Sequence, residues 1–303
     1  MTAPVRSELD TERFWSANQP GFRFTRERPG SPEFFAAVER HRYELEPHIP
    51  EIVQFDRWRD RDVLEVGCGI ATDGINFARA GARYTGTDQS TSALALARRR
   101  FDLEGLTASF VESQADLLPF ADESFDLVFS HGVIHHMENT AGPVSEFHRV
   151  LRPGGTALTM IYHRRSFNYV VSIMIVRRLA IGLLLIPGMP RLIARLTGEQ
   201  LGVLDGQRDL LRRQGWRYLT DRALFLSNNT DGPGNPLSKV FTHAQAEALF
   251  AGFAAVSAEV RYLNLRIYPW GVAAGRSRIA ARLGSRWGWH LYVRAQKGRQ
   301  SQL

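Results

Sequence analysis

Apolar and polar positions follow two periods along the first half of the chain. Residues 62–66, 83–87, 108–112, 125–130 and 156–162 are short apolar runs of the kind a sheet buries. Between them, residues 73–79, 92–101 and 143–151 repeat apolar side chains at helical spacing, and residues 31–50 do so ahead of the first strand. A turn, Arg152-Pro153-Gly154-Gly155, separates the last helix of this series from the last strand. Strands alternating with helices through short turns predict an α/β fold with a parallel sheet covered on both faces. No internal repeat is visible.

After Tyr162 the regularity stops. Residues 167–186 hold the run VVSIMIVRRLAIGLLLI, which Arg177 and Arg178 interrupt before any apolar stretch is long enough to span a bilayer. An amphipathic or buried helical pair ending at Pro187-Gly188 is expected instead. Residues 230–236 (TDGPGNP) read as a loop, 242–250 as a helix capped by Thr242, and 255–261 and 289–295 as strands before a polar tail. This divides the chain into an N-terminal helical cap (1–50), a core (51–163), an Arg-rich helical insertion (164–240) and a C-terminal part completing the sheet (241–303).

Composition changes the picture in two places. The single cysteine, Cys68, excludes a disulfide framework and a cysteine-based zinc site, and fits a reducing, cytoplasmic setting. The N-terminus has no apolar stretch resembling a secretory signal. Charge is split: residues 163–303 carry 21 Lys/Arg against 7 Asp/Glu, leaving 17 against 24 in residues 1–162. A basic second half attracts anionic partners, although the same count also fits an Arg-rich soluble protein.

The chemistry is concentrated in VLEVGCGIATDGINFARAGARYTGTDQS, residues 63–90. A strand opens into Gly67-Cys68-Gly69, and an acid, Asp88, ends the next strand at a distance suited to ribose hydroxyls. A dinucleotide loop would carry a third glycine where Ala71 stands, and Asp73 near the helix start opposes a pyrophosphate. The Glu65 carboxylate suits an ammonium or sulfonium group. Together these favour S-adenosylmethionine (SAM), a ligand with ribose and adenine but no phosphate, for which alanine at position 71 should cost little.

With the stretches ADLLPF (115–120), FSHGVIHHMEN (129–139) and RVLRPGG (149–155) following in order, residues 62–162 resemble the class I SAM-dependent methyltransferases. The resemblance is to the broad subgroup of ubiquinone/menaquinone-type and natural-product enzymes. It implies a Rossmann-like seven-stranded sheet with helices on both faces and a cap inserted after the fifth strand. By the same resemblance Glu65, Gly67, Cys68 and Gly69 hold the methionine end, and Asp88 the ribose, with Gln89 beside the adenine. Asp116 accepts from the adenine amino group, Leu117 adds a backbone contact, and Ser130 and His131 lie under the sulfonium. Tyr43 either covers the methionine end or is a packing aromatic.

Methyl transfer from a sulfonium is an in-line displacement in which alignment supplies much of the acceleration. An oxygen or nitrogen acceptor needs at most a base. His135, His136, His163 and Tyr162 are the candidates, beside a site with no dedicated base; no metal is expected. The acceptor is expected to be small and lipophilic or anionic, methylated on oxygen, nitrogen or carbon. For the insertion, with Arg164, Arg165, Arg177, Arg178, Arg191 and Arg195 among aliphatics and aromatics (Phe167, Tyr169, Trp216, Tyr218), three roles stay open. They are a packing cap or homo-oligomer interface, an acceptor pocket, and peripheral membrane contact. Nucleic-acid methylation is the alternative suggested by charge, but Ser130-His131-Gly132-Val133 replaces the Asn/Asp-Pro-Pro-aromatic motif typical of amino-methylating DNA and RNA enzymes. No nucleic-acid partner is therefore expected. A catalytically silent SAM-binding module is a third reading.

Overall fold

The computed structural model describes residues 6–18, 21–265, 268, 271 and 277–299. Seven strands form one sheet in the order β3-β2-β1-β4-β5-β7-β6. They are β1 (Asp62–Val66), β2 (Arg83–Asp88), β3 (Ser109–Glu112), β4 (Phe125–His131), β5 (Leu151–Tyr162), β6 (Ala255–Arg261) and β7 (His290–Gln296). The first five are parallel, and β7 runs antiparallel to β5 and β6. Because β1 pairs with both β2 and β4, the strand order reverses there. A crevice forms at the carboxyl ends of β1 and β4.

The runs are apolar throughout because both faces of the sheet are covered. Leu127 and Phe129 of β4 join a cluster with Phe77 and Phe101, whereas Val128 between them joins the opposite cluster with Phe147 and Val150. Those aromatic partners sit on α4 (Gly74–Arg79), α5 (Thr91–Glu104) and α6 (Ala141–Val150).

Two sequence expectations are corrected. The helix expected over 31–50 is broken into α2 (Pro32–Leu45), capped by the Ser31 hydroxyl accepting from Phe34 N–H, and α3 (Ile49–Val53). Pro50 lacks an N–H and suits only a first helical turn, so it sits in the first turn of a new helix that begins at Ile49. The Arg152–Gly155 stretch is not a free turn but the irregular start of β5. Leu151 already pairs with Phe125, the register then shifts, and Gly154 takes φ +81°. A helix α1 (Arg6–Ala17) lies within the stretch expected as an N-terminal helical cap, whereas a helix over Arg278–Trp287 before β7 had no expectation.

The insertion leaves and rejoins the sheet at one neck. Phe241 N–H donates to the Tyr162 carbonyl at 2.8 Å, and Arg164 N–H to the Phe241 carbonyl at 2.8 Å. Between these points a π-wound segment (Asn168–Arg177) leads into α7 (Arg178–Gly182), the turn Leu183–Leu185 and α8 (Met189–Thr197). Three further helices follow: α9 (Leu201–Gln214), α10 (Trp216–Thr220) and α11 (Arg222–Thr230).

Candidate functional site

At the crevice lies a cavity of about 420 Å³. Its floor is the loop after β1, where Gly67, Gly69 and Ala71 all take left-handed φ values of 74°, 55° and 53°. A side chain at Gly67 would place its Cβ 2.3 Å from Val133 Cγ2, whereas Gly69 faces open space. Alanine at 71 is therefore not neutral. It occupies a conformation that costs a non-glycine residue on the order of 1 kcal/mol, while its methyl is fully buried in the core. The glycine that allows close helix packing is Gly74, where a Cβ would lie 2.2 Å from the Tyr84 hydroxyl.

That hydroxyl donates to Glu65 Oε2 at 2.6 Å. Glu65 is buried, and burial, reinforced by the neighbouring Asp73 charge, pushes its carboxyl up to about 8. Asp73 is also buried but is held by Arg42, whose Nε donates to Oδ1 at 3.0 Å, and by the Tyr43 hydroxyl at 2.9 Å. The negative charge read at Asp73 is thus matched by Arg42. At the end of β2, Asp88 receives Gly69 N–H on Oδ2 at 2.8 Å and Ser90 N–H on Oδ1 at 2.9 Å. Burial raises its carboxyl, and these backbone donors oppose the rise. Each oxygen keeps a lone pair for a further donor.

Ten of the fifteen expected residues line this cavity: Glu65, Gly67, Cys68, Gly69, Asp88, Gln89, Asp116, His131, His136 and Tyr162. Five lie outside its wall. Leu117 turns its side chain to solvent, and its N–H donates to the Gln114 carbonyl at 3.3 Å. Ser130 is fully buried and donates to the Val66 carbonyl at 3.1 Å, tying β4 to β1. Tyr43 is spent on Asp73. His135 is buried with its ring 3.9 Å from that of Tyr162, and His163 is buried with Nδ1 donating to the Gly288 carbonyl at 3.1 Å.

Sequence reading missed the opposite wall. Because β7 is antiparallel, its first residues stand beside the carboxyl end of β5: Tyr162 pairs with His290, and the Trp289 ring stacks on Tyr162 at 4.1 Å. Asp231, after α11, accepts from the Tyr162 hydroxyl at 2.9 Å and lies 3.6 Å from His136 Nε2. His136 Nδ1 donates to the Leu237 carbonyl at 2.7 Å, which leaves Nε2 as the ring nitrogen on the Asp231 side. Beneath His131 sits a cluster of neutral rings. Burial holds His48 and His290 down to about 3 and His131 well below the usual range, and Tyr292 Oη bridges His131 (2.9 Å) and His48 (3.1 Å). Glu46, His131 and His290 bring three metal-type ligand atoms within 4.8 Å of one another, but Arg42, 3.1 Å from Glu46, already supplies a cation to that carboxylate.

Among the described residues the lining includes Glu46, Glu65, Asp73, Asp88, Asp116, Glu138 and Asp231 against the single cation Arg42. The insertion contributes only residues 231 and 237. Arg177 instead donates to the Asn229 carbonyl at 2.8 Å and Arg178 lies over the Phe225 ring, so neither reaches the cavity. This wall fits SAM as a ligand. It is acidic around a cationic group, offers Asp88 to a diol, and has no cluster of cations for phosphates.

Comparison with known proteins agrees. Residues 64–159 match the methyltransferase domain family. The demethylmenaquinone methyltransferase of Chlorobaculum parvum is 36% identical over 105 residues, 34% of this chain and 42% of that protein. The fatty-acid O-methyltransferase of Mycolicibacterium smegmatis is 37% identical over 119 residues, 39% of this chain and 42% of that one. The chain thus spans about two fifths of the length of these curated relatives. In fold it resembles a SAM-dependent methyltransferase from Methanosarcina mazei, with a TM-score of 0.50 at 16% identity over 82% of this chain and 98% of the other. Residues 64–159 thus carry a methyltransferase domain, and the seven-stranded sheet that holds it has the Rossmann-like fold of the class I SAM-dependent methyltransferases.

Proposed function

We propose that the protein transfers a methyl group from SAM to the hydroxyl of a small, lipophilic, uncharged acceptor. The observation that carries this reading is the single cavity joining the glycine loop and Asp88 to an aromatic wall around His136. Bound SAM supplies an electrophilic methyl group on a sulfonium centre. Asp88 would hold its ribose and Glu65 its ammonium, while the neutral state of His131, His48 and His290 keeps further positive charge away from the sulfonium.

His136 is the residue placed to take the acceptor's proton. Its Nε2 is buried with no hydrogen-bond partner, and Asp231 at 3.6 Å would stabilise the imidazolium once the proton arrives. Tyr162, by donating to Asp231, and Trp289, by stacking on Tyr162, hold that carboxylate and the aromatic wall in place. The acidic lining argues against the anionic acceptors that the sequence left open. Both curated relatives named above act on lipophilic molecules, by their names a demethylmenaquinone and a fatty acid.

The test is transfer of a labelled methyl from SAM to a panel of hydroxylated quinols and phenolic lipids, with fatty acids alongside. Product on the neutral hydroxyl compounds and none on the fatty acids is expected. Methyl esters of the fatty acids, or SAM binding without product from any lipid, would overturn the assignment.

A further inference from the structure

The insertion carries an apolar outer face that the cavity does not use. Along the helical run from Asn168, Tyr169, Ile173, Ile181 and Leu184 are buried against the protein, while Ile175, Leu179 and Leu183, four residues apart, are exposed. Leu179 is 67% exposed. The next helix, α8, packs against the Leu183–Leu185 turn and repeats the pattern, with Ile193 buried and Leu192 and Leu196 exposed. Residues 168–185 are long and apolar enough to cross a membrane by composition, with a third of the stretch buried inside the protein. Here they lie along the protein surface instead, anchored by Arg177 and Arg178.

The rim of this face is cationic. Arg191 and Arg195 are exposed on α8, each one residue before an exposed leucine, and neither has an ion pair among the described residues. The whole insertion, residues 164–239, has 12 Lys/Arg against 5 Asp/Glu. A row of leucines flanked by arginines is the pattern of a helix lying in a headgroup layer. A second copy of this chain would bring like-charged rims together, whereas an anionic surface neutralises them.

We infer that this face docks the protein on membranes rich in anionic lipid, with the exposed leucines entering the interface and Arg191 and Arg195 meeting the headgroups. The inference stands apart from the methyl-transfer reading, since none of these residues lines the cavity.

Co-sedimentation of the full chain with phosphatidylcholine vesicles, with and without about one third phosphatidylglycerol, tests it. Retention on the anionic vesicles at about 50 mM salt, weakening at about 0.5 M, is expected. Leu179→Asp with Leu183→Asp should weaken it by at least about tenfold, and Arg191→Gln with Arg195→Gln by roughly fivefold per arginine. Unchanged SAM affinity in both variants would show that they are folded. No retention of the wild type, or equal retention of the variants, would overturn the inference. So would light scattering showing a dimer that Leu179→Asp with Leu183→Asp converts to monomer while vesicles remain unbound, because the face would then join two copies.

Discussion

The ammonium-binding role proposed for Glu65 would link SAM binding to a proton. The free protein holds its carboxyl at about 8 because burial and Asp73 disfavour the charge. An arriving ammonium group requires the carboxylate, so the proton must leave. Between the ordinary 4.5 and about 8, each pH unit is worth roughly 1.4 kcal/mol. The linkage therefore amounts to on the order of 4 to 5 kcal/mol if the ligand restores the ordinary value. The sign is fixed. Below about pH 8 the free site is protonated, so affinity should rise with pH, by up to tenfold per unit between about pH 6 and 7.5. Above about 8 the ligand's own amine begins to lose its proton and the gain stops. In the free protein the same shift acts oppositely on folding: the folded state keeps a proton that the unfolded chain has lost, so stability falls as pH rises from about 4.5 to 8. Calorimetry in buffers of different ionisation enthalpy should detect close to one proton released at pH 7. Glu65→Gln should abolish the release, flatten the pH dependence and weaken binding. Binding that releases no proton, or an equal pH slope in Glu65→Gln, would refute the role given to this carboxyl.

Two further predictions concern the walls. Asp231→Asn should lower kcat by about tenfold to a hundredfold with SAM affinity unchanged, because the His136 imidazolium formed on proton transfer loses its partner. An unaltered kcat in stopped assays would remove Asp231 from the proton path. Gly74→Ala should push the Tyr84 hydroxyl off Glu65, destabilising the protein by about 1–3 kcal/mol in thermal unfolding and weakening SAM binding. A stable variant with full affinity would show that the helix shifts to accommodate the methyl.

The parts legible in the sequence were those governed by local pattern. Residues 62–66 and 255–261 are strands as read, since apolar runs between turn formers leave few alternatives. The spacing from Gly67 to Asp88 is set by one strand–helix–strand unit, so the carboxylate could be placed beside the loop before any coordinates. What escaped depends on distant pairings. Asp231 meets Tyr162 across 69 positions. Trp289 and His290 reach the cleft only because β7 is antiparallel, which apolar periodicity does not encode. His135 and His136 are adjacent and alike in sequence, yet His135 packs on Tyr162 out of the cavity and His136 lines it. The insertion's arginines suggested an anion pocket until their contacts showed Arg177 and Arg178 holding helices together.

The central claim, that this cavity holds SAM through Asp88, is tested most directly by calorimetric titration of SAM into the wild type and Asp88→Ala at pH 7.5. Saturable one-to-one binding by the wild type is expected. With two charge-assisted hydrogen bonds to the ribose removed, the variant should bind at least about thirtyfold more weakly. Equal affinity in the two proteins, or no heat of binding with the folded wild type, would contradict the account.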